Sequence, residues 1–389
     1  MPLAAIPHHQ PTGSRFVPGV GSMPDAVYLS VQLDGVPKWV VGTPSRSRAS
    51  WLVALEDGRV LSVDAHGRLN PAGQLAPGQP PVGMIDPDGD LALLPMPADV
   101  SVRSVPVVLP DGLLYVAGSG DVVRTARGTI MREAWDALPD ARIVVRENYA
   151  AVYAGQTSRY THGVLGDTVE ATALIVFDTE TLAEVYRIVL DDGLVFEGLT
   201  PLWADIDGNG VEELIATVAD EEVGARIRVY AGDTGSQIAE GPLIGRGGRW
   251  RHQLVAGAFS EDGVIELASV LTPHIGGMVQ FNRLSGGEFP VVAELRGFTS
   301  HVLYSDNLDM AVAGDFDGDG RVELVLPDQE RRNLAGLRRD GPEDIEVAWI
   351  VPVDGMVSTN LAALTLADGH LALAVGTDSG LLHIWLPTE

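Results

Sequence analysis

The chain has 389 residues, 46% hydrophobic and 20% charged, with a net charge of −27, a single lysine at Lys38 and no cysteine. That composition supplies ample core and argues against disorder, while the missing cysteine excludes disulfides and thiol chemistry. Nucleic acid and anionic membrane surfaces are poor partners for so acidic a chain, because both are bound by clustered cations, and no run of about 18 apolar residues is present to insert into a bilayer.

The 45 glycines and 25 prolines imply frequent turns and suit many short strands better than long helices. Residues 1–24, rich in Pro, Gly and His, read as an unstructured, flexible arm, and 25–389 as one repeat domain. The opening M-P-L-A-A-I-P-H-H-Q has neither the charged start nor the apolar run of a leader peptide. It is compatible with a cytosolic chain or with an exported one whose leader has been removed.

Along the chain, short apolar strands separated by turn residues are expected at 28–33, around Trp39 to Val41, around Ala92 in G-D-L-A-L-L-P and around Val152 in A-A-V-Y-A-G. From there a repeat is visible. Glu213, Glu266, Glu323 and Ala372 are equivalent positions separated by 53, 57 and 49 residues, and a period near fifty marks a repeat architecture. Each repeat continues with a short strand, a turn rich in Asp, Thr and Gly, and another strand, as at 173–177 before D-T-E-T and at 226–230 before A-G-D-T-G. Four short antiparallel strands per unit, arranged radially, make a β-propeller, which leaves only short edges. The expected fold is therefore all-β, a seven-bladed β-propeller of four-stranded antiparallel blades, with six or eight blades as alternatives. The last unit ends one strand short, and 28–33 is expected to supply it, closing the ring with N- and C-terminal strands.

Two of the repeats carry an acidic turn. G-D-F-D-G-D-G-R-V-E-L places Asp315, Asp317, Asp319 and Glu323 at spacing 1, 3, 5, 9, with Arg321 at position 7, and A-D-I-D-G-N-G-V-E-E-L repeats it with Asp205, Asp207, Asn209, Val211 and Glu213. Carboxylates converging within about 4 Å repel by roughly 4 kcal/mol per pair near a protein surface, so such a loop calls for a hard cation. Calcium takes six to eight oxygens in flexible geometry, with the Val211 and Arg321 backbone carbonyls completing the two sets. An EF-hand would need a bidentate Glu at position 12 and flanking helices. Here position 12 is Ala216 or Leu326 and a strand-like run follows, so these are strand-to-strand loops. The Glu266 copy keeps the frame but has Ala258 and Ser260 where the first two aspartates would stand, and is expected to hold no metal.

The two D-x-D-x-[DN]-G-x-x-E-L loops, each inside a β unit of roughly fifty residues, resemble the FG-GAP and VCBS repeats of integrin-type β-propellers over about residues 150–389. That resemblance implies a propeller with calcium between the first and second strands of some blades, in a family that includes adhesion domains, lectins and some carbohydrate-active enzymes. It fixes fold and metal better than function. Calcium loops of this kind suit a secreted, periplasmic or cell-surface protein.

Loop parity then separates two faces. The acidic turns join strands 1 and 2. R-G-G-R-W-R-H, ending at His252, precedes a first strand, T-P-H-I-G-G with His274 joins strands 2 and 3, T-S-H ends at His301, and D-Q-E-R-R carries Arg331 and Arg332; all fall on the other face, with Tyr160, Thr161, His162 and Glu197 nearby. Arg249, Trp250, Arg251, His252, His274, His301, Arg331 and Arg332 are thus expected to form a cationic and aromatic cluster. Arginine with neutral histidine suits an anionic sugar or carboxylate through bidentate hydrogen bonds; three histidines could instead hold a transition metal. No G-x-S-x-G elbow or phosphate loop is present. Two intact calcium loops without a recognisable catalytic set favour a module binding a glycan or protein ligand. The competing expectation is a lyase or dehydratase on a sugar acid, with His252 or His301 as general base and Arg251 steadying the carboxylate. A structural module with no ligand of its own is the third.

Overall fold

The computed structural model describes residues 4–46, 48–247 and 249–388. Among the described residues there is no helix, and the strands form antiparallel ladders between chain neighbours. Pairing sets four chain-consecutive strands together at 37–74, 107–133, 251–296 and 312–352, completes the three strands of 362–386 with Val27–Gln32, and links the four-strand stretches 144–189 and 202–240 through Val195–Phe196 into one nine-stranded sheet; Gly83–Ile85 and Leu91–Leu93 form a two-stranded hairpin. Within a unit the second strand is the most deeply buried. Glu213–Ala219, E-L-I-A-T-V-A, is buried at every position, because other strands flank it and neighbouring units cover both faces. The outer strand Glu184–Val189 buries only Ile188, as an edge facing water should.

Apolar side chains between consecutive units join them in a ring. Leu254 and Val279 pack with Leu324 and Ala335, Val325 and Trp349 with Leu373 and Val375, and the final unit returns to the first through Ala362, Ala374 and Ile384 against Val40, Trp51 and Val63. The expected pairing of an N-terminal strand with the C-terminal one is present. Val27–Gln32 pairs antiparallel with Leu381–Leu386, placing Tyr28 opposite Trp385.

Two expectations are corrected. The hairpin holding Ala92 has two strands and not four, and a complete unit at 107–133 lies beyond it. Its turns are plain glycine hairpins without the D-x-D-x-[DN] signature, so nothing marked it as a repeat. The N-terminal stretch is not a loose arm either. Ala5 bridges Gly83, the Pro11 carbonyl accepts from Val145 N and that of Thr12 from Trp203 N, and His9 Nε2 accepts from Ala363 N. Phe16–Val20 then runs parallel to Val312–Asp315. The segment crosses the inner strands of five units and the hairpin, with Arg15 reaching the Leu254 carbonyl at 2.6 Å. Arg15 and Arg142 both bind the Asp309 carboxylate, and all three side chains are almost wholly buried.

Candidate functional site

The Asp315 turn joins Val312–Asp315 to Glu323–Pro327, and the Asp205 turn joins Leu202–Ala204 to Glu213–Ala219, so both connect first and second strands. The peptide groups curl each loop around its own acids. Asp315 accepts from Gly318 N and Gly320 N, and both glycines have φ near +80°, which glycine adopts without steric cost. One ligand atom from each of Asp315, Asp317, Asp319 and Glu323 lies within 4.8 Å of the others, as do those of Asp205, Asp207 and Glu213.

Glu323 Oε2 accepts from Phe316 N at 2.6 Å, but its Oε1 is buried with no protein partner, as is Asp205 Oδ1. Burial, and then the Asp317 and Asp315 charges, push Glu323 up to about 8; burial raises Glu213 and Asp317 in the same direction. Converging acids with unpartnered buried oxygens fit a hard cation. In the Asp205 turn, Asn209 donates to Asp207 at 2.9 Å and accepts from Val211 N at 2.7 Å. The Arg321 side chain is turned away to the Arg339 carbonyl, and Arg338 bonds Asp319 from outside the loop.

The Glu266 copy shows how the same frame manages without these acids. Arg283 donates to Ser260 at 2.8 Å, to Asp262 at 2.7 Å and to Glu266 at 2.7 Å, while Arg339 binds the other Glu266 oxygen at 3.0 Å. A guanidinium stands where the aligned loops offer room for an ion.

On the other face the structure brings four expected side chains together. Trp250 stacks on His252 with centroids 4.5 Å apart and lies 5.1 Å from His301. His274 Nε2 and His301 Nδ1 are 2.6 Å apart, and His301 Nε2 meets the Ser305 carbonyl at 2.6 Å. Neutral rings satisfy this chain if His301 donates to Ser305 and accepts from His274. The separation is also shorter than the roughly 3.3 Å that two imidazoles keep on one tetrahedral metal, so these two nitrogens form a hydrogen bond and not a metal pair. Burial lowers His274 to about 4 and His301 to about 3, and holds His252 far below its ordinary value. The histidines are therefore uncharged at neutral pH, and the positive charge on this face belongs to its arginines.

The arginines divide. Arg249 lines an open pocket of about 670 Å³ together with His162, Trp250, Thr272, His274 and Arg296. Arg251 does not reach it: its side chain is buried between units, donates to the Pro242 carbonyl at 2.8 Å, and is pulled down to about 10 by burial. Arg331 turns to the next unit and donates to the Val357 carbonyl at 2.7 Å, and Arg332 is exposed with its amide on Asp328. His252 and His301 are buried beneath Trp250 and Thr299 and do not line the open pocket. Sequence reasoning missed Arg296 and the direct pairing of His162 Nδ1 with Glu197 Oε1 at 2.7 Å. The one local signal for Arg296 is its place at an outer-strand end, five residues before His301.

The ring of antiparallel sheets defines a β-propeller. No protein-family model and no curated protein matches the chain, whereas solved structures do. Quinohemoprotein alcohol dehydrogenase from Comamonas testosteroni superposes with a TM-score of 0.60 at 11% identity, covering 99% of this chain and 81% of that one. BamB from Moraxella catarrhalis gives a TM-score of 0.45 at 13% identity, covering 93% and 98%. At the identity of the dehydrogenase the likeness shows the fold alone.

Proposed function

We propose that this protein is an exported, calcium-binding propeller of the FG-GAP and VCBS type that binds a carboxylate-bearing glycan or protein ligand on the face away from the acidic turns. One observation carries the ligand reading. Arg249 and Arg296 border the 670 Å³ pocket with no acidic partner among the described residues, in a chain of net charge −27. Guanidinium groups left without intramolecular acids on so negative a surface suit an incoming carboxylate, bound bidentately. Thr272 and neutral His274 beside them add uncharged donors and acceptors for hydroxyls.

The test is an array of neutral and acidic oligosaccharides probed with calcium-loaded protein and with the Arg249→Ala, Arg296→Ala double variant. Retention of acidic members by the parent and their loss in the variant supports the reading. A blank across acidic sugars and carboxylate-rich peptides removes it.

The enzymatic alternative is favoured by the His162–Glu197 pair on the pocket wall, a base-and-orienter geometry. The positions of His252, His301 and Arg251 do not serve it, since all three are buried away from the pocket opening. Turnover of uronate polymers that survives His162→Gln eliminates this version.

A further inference from the structure

A second, small cavity of about 10 Å³ is bordered among others by Glu197, Trp250, His252, Thr200 and Gln253. Three of these residues carry a buried side-chain atom with no protein hydrogen-bond partner: Glu197 Oε2, Trp250 Nε1 and His252 Nε2. Each of the three residues is only 2% exposed. A buried polar atom left unmatched costs about 1–3 kcal/mol, so three around one small space point to a common partner.

The chemistry of the three atoms selects that partner. Indole Nε1 can only donate, which excludes a cation. His252 Nδ1 lies 2.8 Å from Ser300 Oγ; in the tautomer with the proton on Nδ1 its Nε2 is an acceptor, which a water satisfies and an anion does not. A space of this size takes one water, and a buried water is held by two to four polar groups.

The other Glu197 oxygen faces outward. Oε1 meets His162 Nδ1 at 2.7 Å, and the Tyr160 hydroxyl also donates to this carboxyl. Burial raises Glu197 well above the ordinary carboxylate range, and the neighbouring Glu170, also buried, is raised likewise.

We propose that the cavity holds one water that accepts from Trp250 Nε1 and from a protonated Glu197 Oε2 and donates to His252 Nε2. Glu197 Oε1 is then purely an acceptor, so His162 carries its proton on Nδ1. Glu197 is a positioning residue that sets the tautomer of His162, and the water is what keeps Glu197 neutral and oriented. The relation holds whether or not the pocket binds an acidic ligand.

The test uses the full chain labelled with nitrogen-15 in histidine and tryptophan, at neutral pH and without ligand. We expect His162 as the neutral Nδ1–H tautomer, and a nuclear Overhauser contact between the Trp250 indole proton and a long-lived water. Glu197→Gln, which reproduces an acceptor oxygen toward His162 and a donor toward the cavity, leaves both signals in place, whereas Glu197→Leu abolishes both. A doubly protonated His162 in the parent that loses its charge in Glu197→Gln overturns the proposal, as does an indole proton with no water contact.

Discussion

Arg283 donates to Glu266 at 2.7 Å, in a loop aligned with two others whose corresponding glutamates, Glu213 and Glu323, accept from backbone amides and have no arginine partner among the described residues. Glu266 is wholly buried and also paired with Arg339 at 3.0 Å. Removing one partner of a buried ion pair leaves an uncompensated charge, which costs about 3–5 kcal/mol; with Arg339 still present the expected loss for Arg283→Ala is about 2 kcal/mol. Urea unfolding with and without calcium checks it, since the same loss is expected in both conditions. A midpoint equal to the parent's would show that the guanidinium is a bystander.

The other two loops are expected to respond to chelation. Calcium is expected to raise the melting temperature and EDTA to lower it, with Glu323→Gln losing most of the difference. The pH dependence has a definite sign. Glu323 is raised to about 8 by burial and by Asp317, so the cation-free folded chain binds more protons than the unfolded one. Its stability is fully present below the usual carboxylate range and falls as pH rises through about 8. Calcium favours the ionised carboxylates and removes that decline. Melting curves from about pH 5 to 8 in EDTA that stay flat would contradict the shift.

The axial triad makes a different demand. Asp309 lies between Arg15 and Arg142, and these two guanidiniums hold its carboxyl well below the usual range despite burial. A depressed acid contributes stability above its unfolded value that is lost as pH falls below about 4. Asp309→Ala leaves two buried arginines without their acid and is expected to cost about 3–5 kcal/mol, measured by urea unfolding at neutral pH. The gap between variant and parent should shrink in acid.

Gly21 ties the N-terminal segment to the acidic Asp315 turn. Its amide donates to the Asp315 carbonyl at 2.6 Å, and a Cβ there would stand 2.0 Å from the Phe316 carbonyl oxygen. Backbone cannot yield at that distance, so Gly21→Ala is expected to displace the segment or the turn and to weaken calcium binding. Calcium titration by calorimetry measures this. An affinity unchanged from the parent would show that the loop is set without the arm.

Much of this molecule is readable locally. The acid spacing at 315–323 and 205–213 predicts turns whose carboxylates converge, and it succeeds because neighbouring residues of one short loop supply the whole set. Strand closure by 28–33 is legible because an unpaired edge demands a partner. The unit at 107–133 is silent because plain hairpins carry no repeat signature, and the separate roles of Arg249 and Arg251 are silent because Arg251 opens the strand Arg251–Gly257 while Arg249 lies in the irregular loop before it, and spacing does not show where such a loop turns its side chains.

The sequence by itself determined the β repeat, the two acidic turns and the face that gathers histidines, since each follows from spacing within a few residues. Only the tertiary structure decided that the N-terminal segment crosses the inner strands, that Arg283 neutralises Glu266, and that Glu197 lies between His162 and a small cavity. Those relations join residues tens to hundreds of positions apart, and burial then fixes their protonation, because the cost of removing a charge from water depends on everything packed around it.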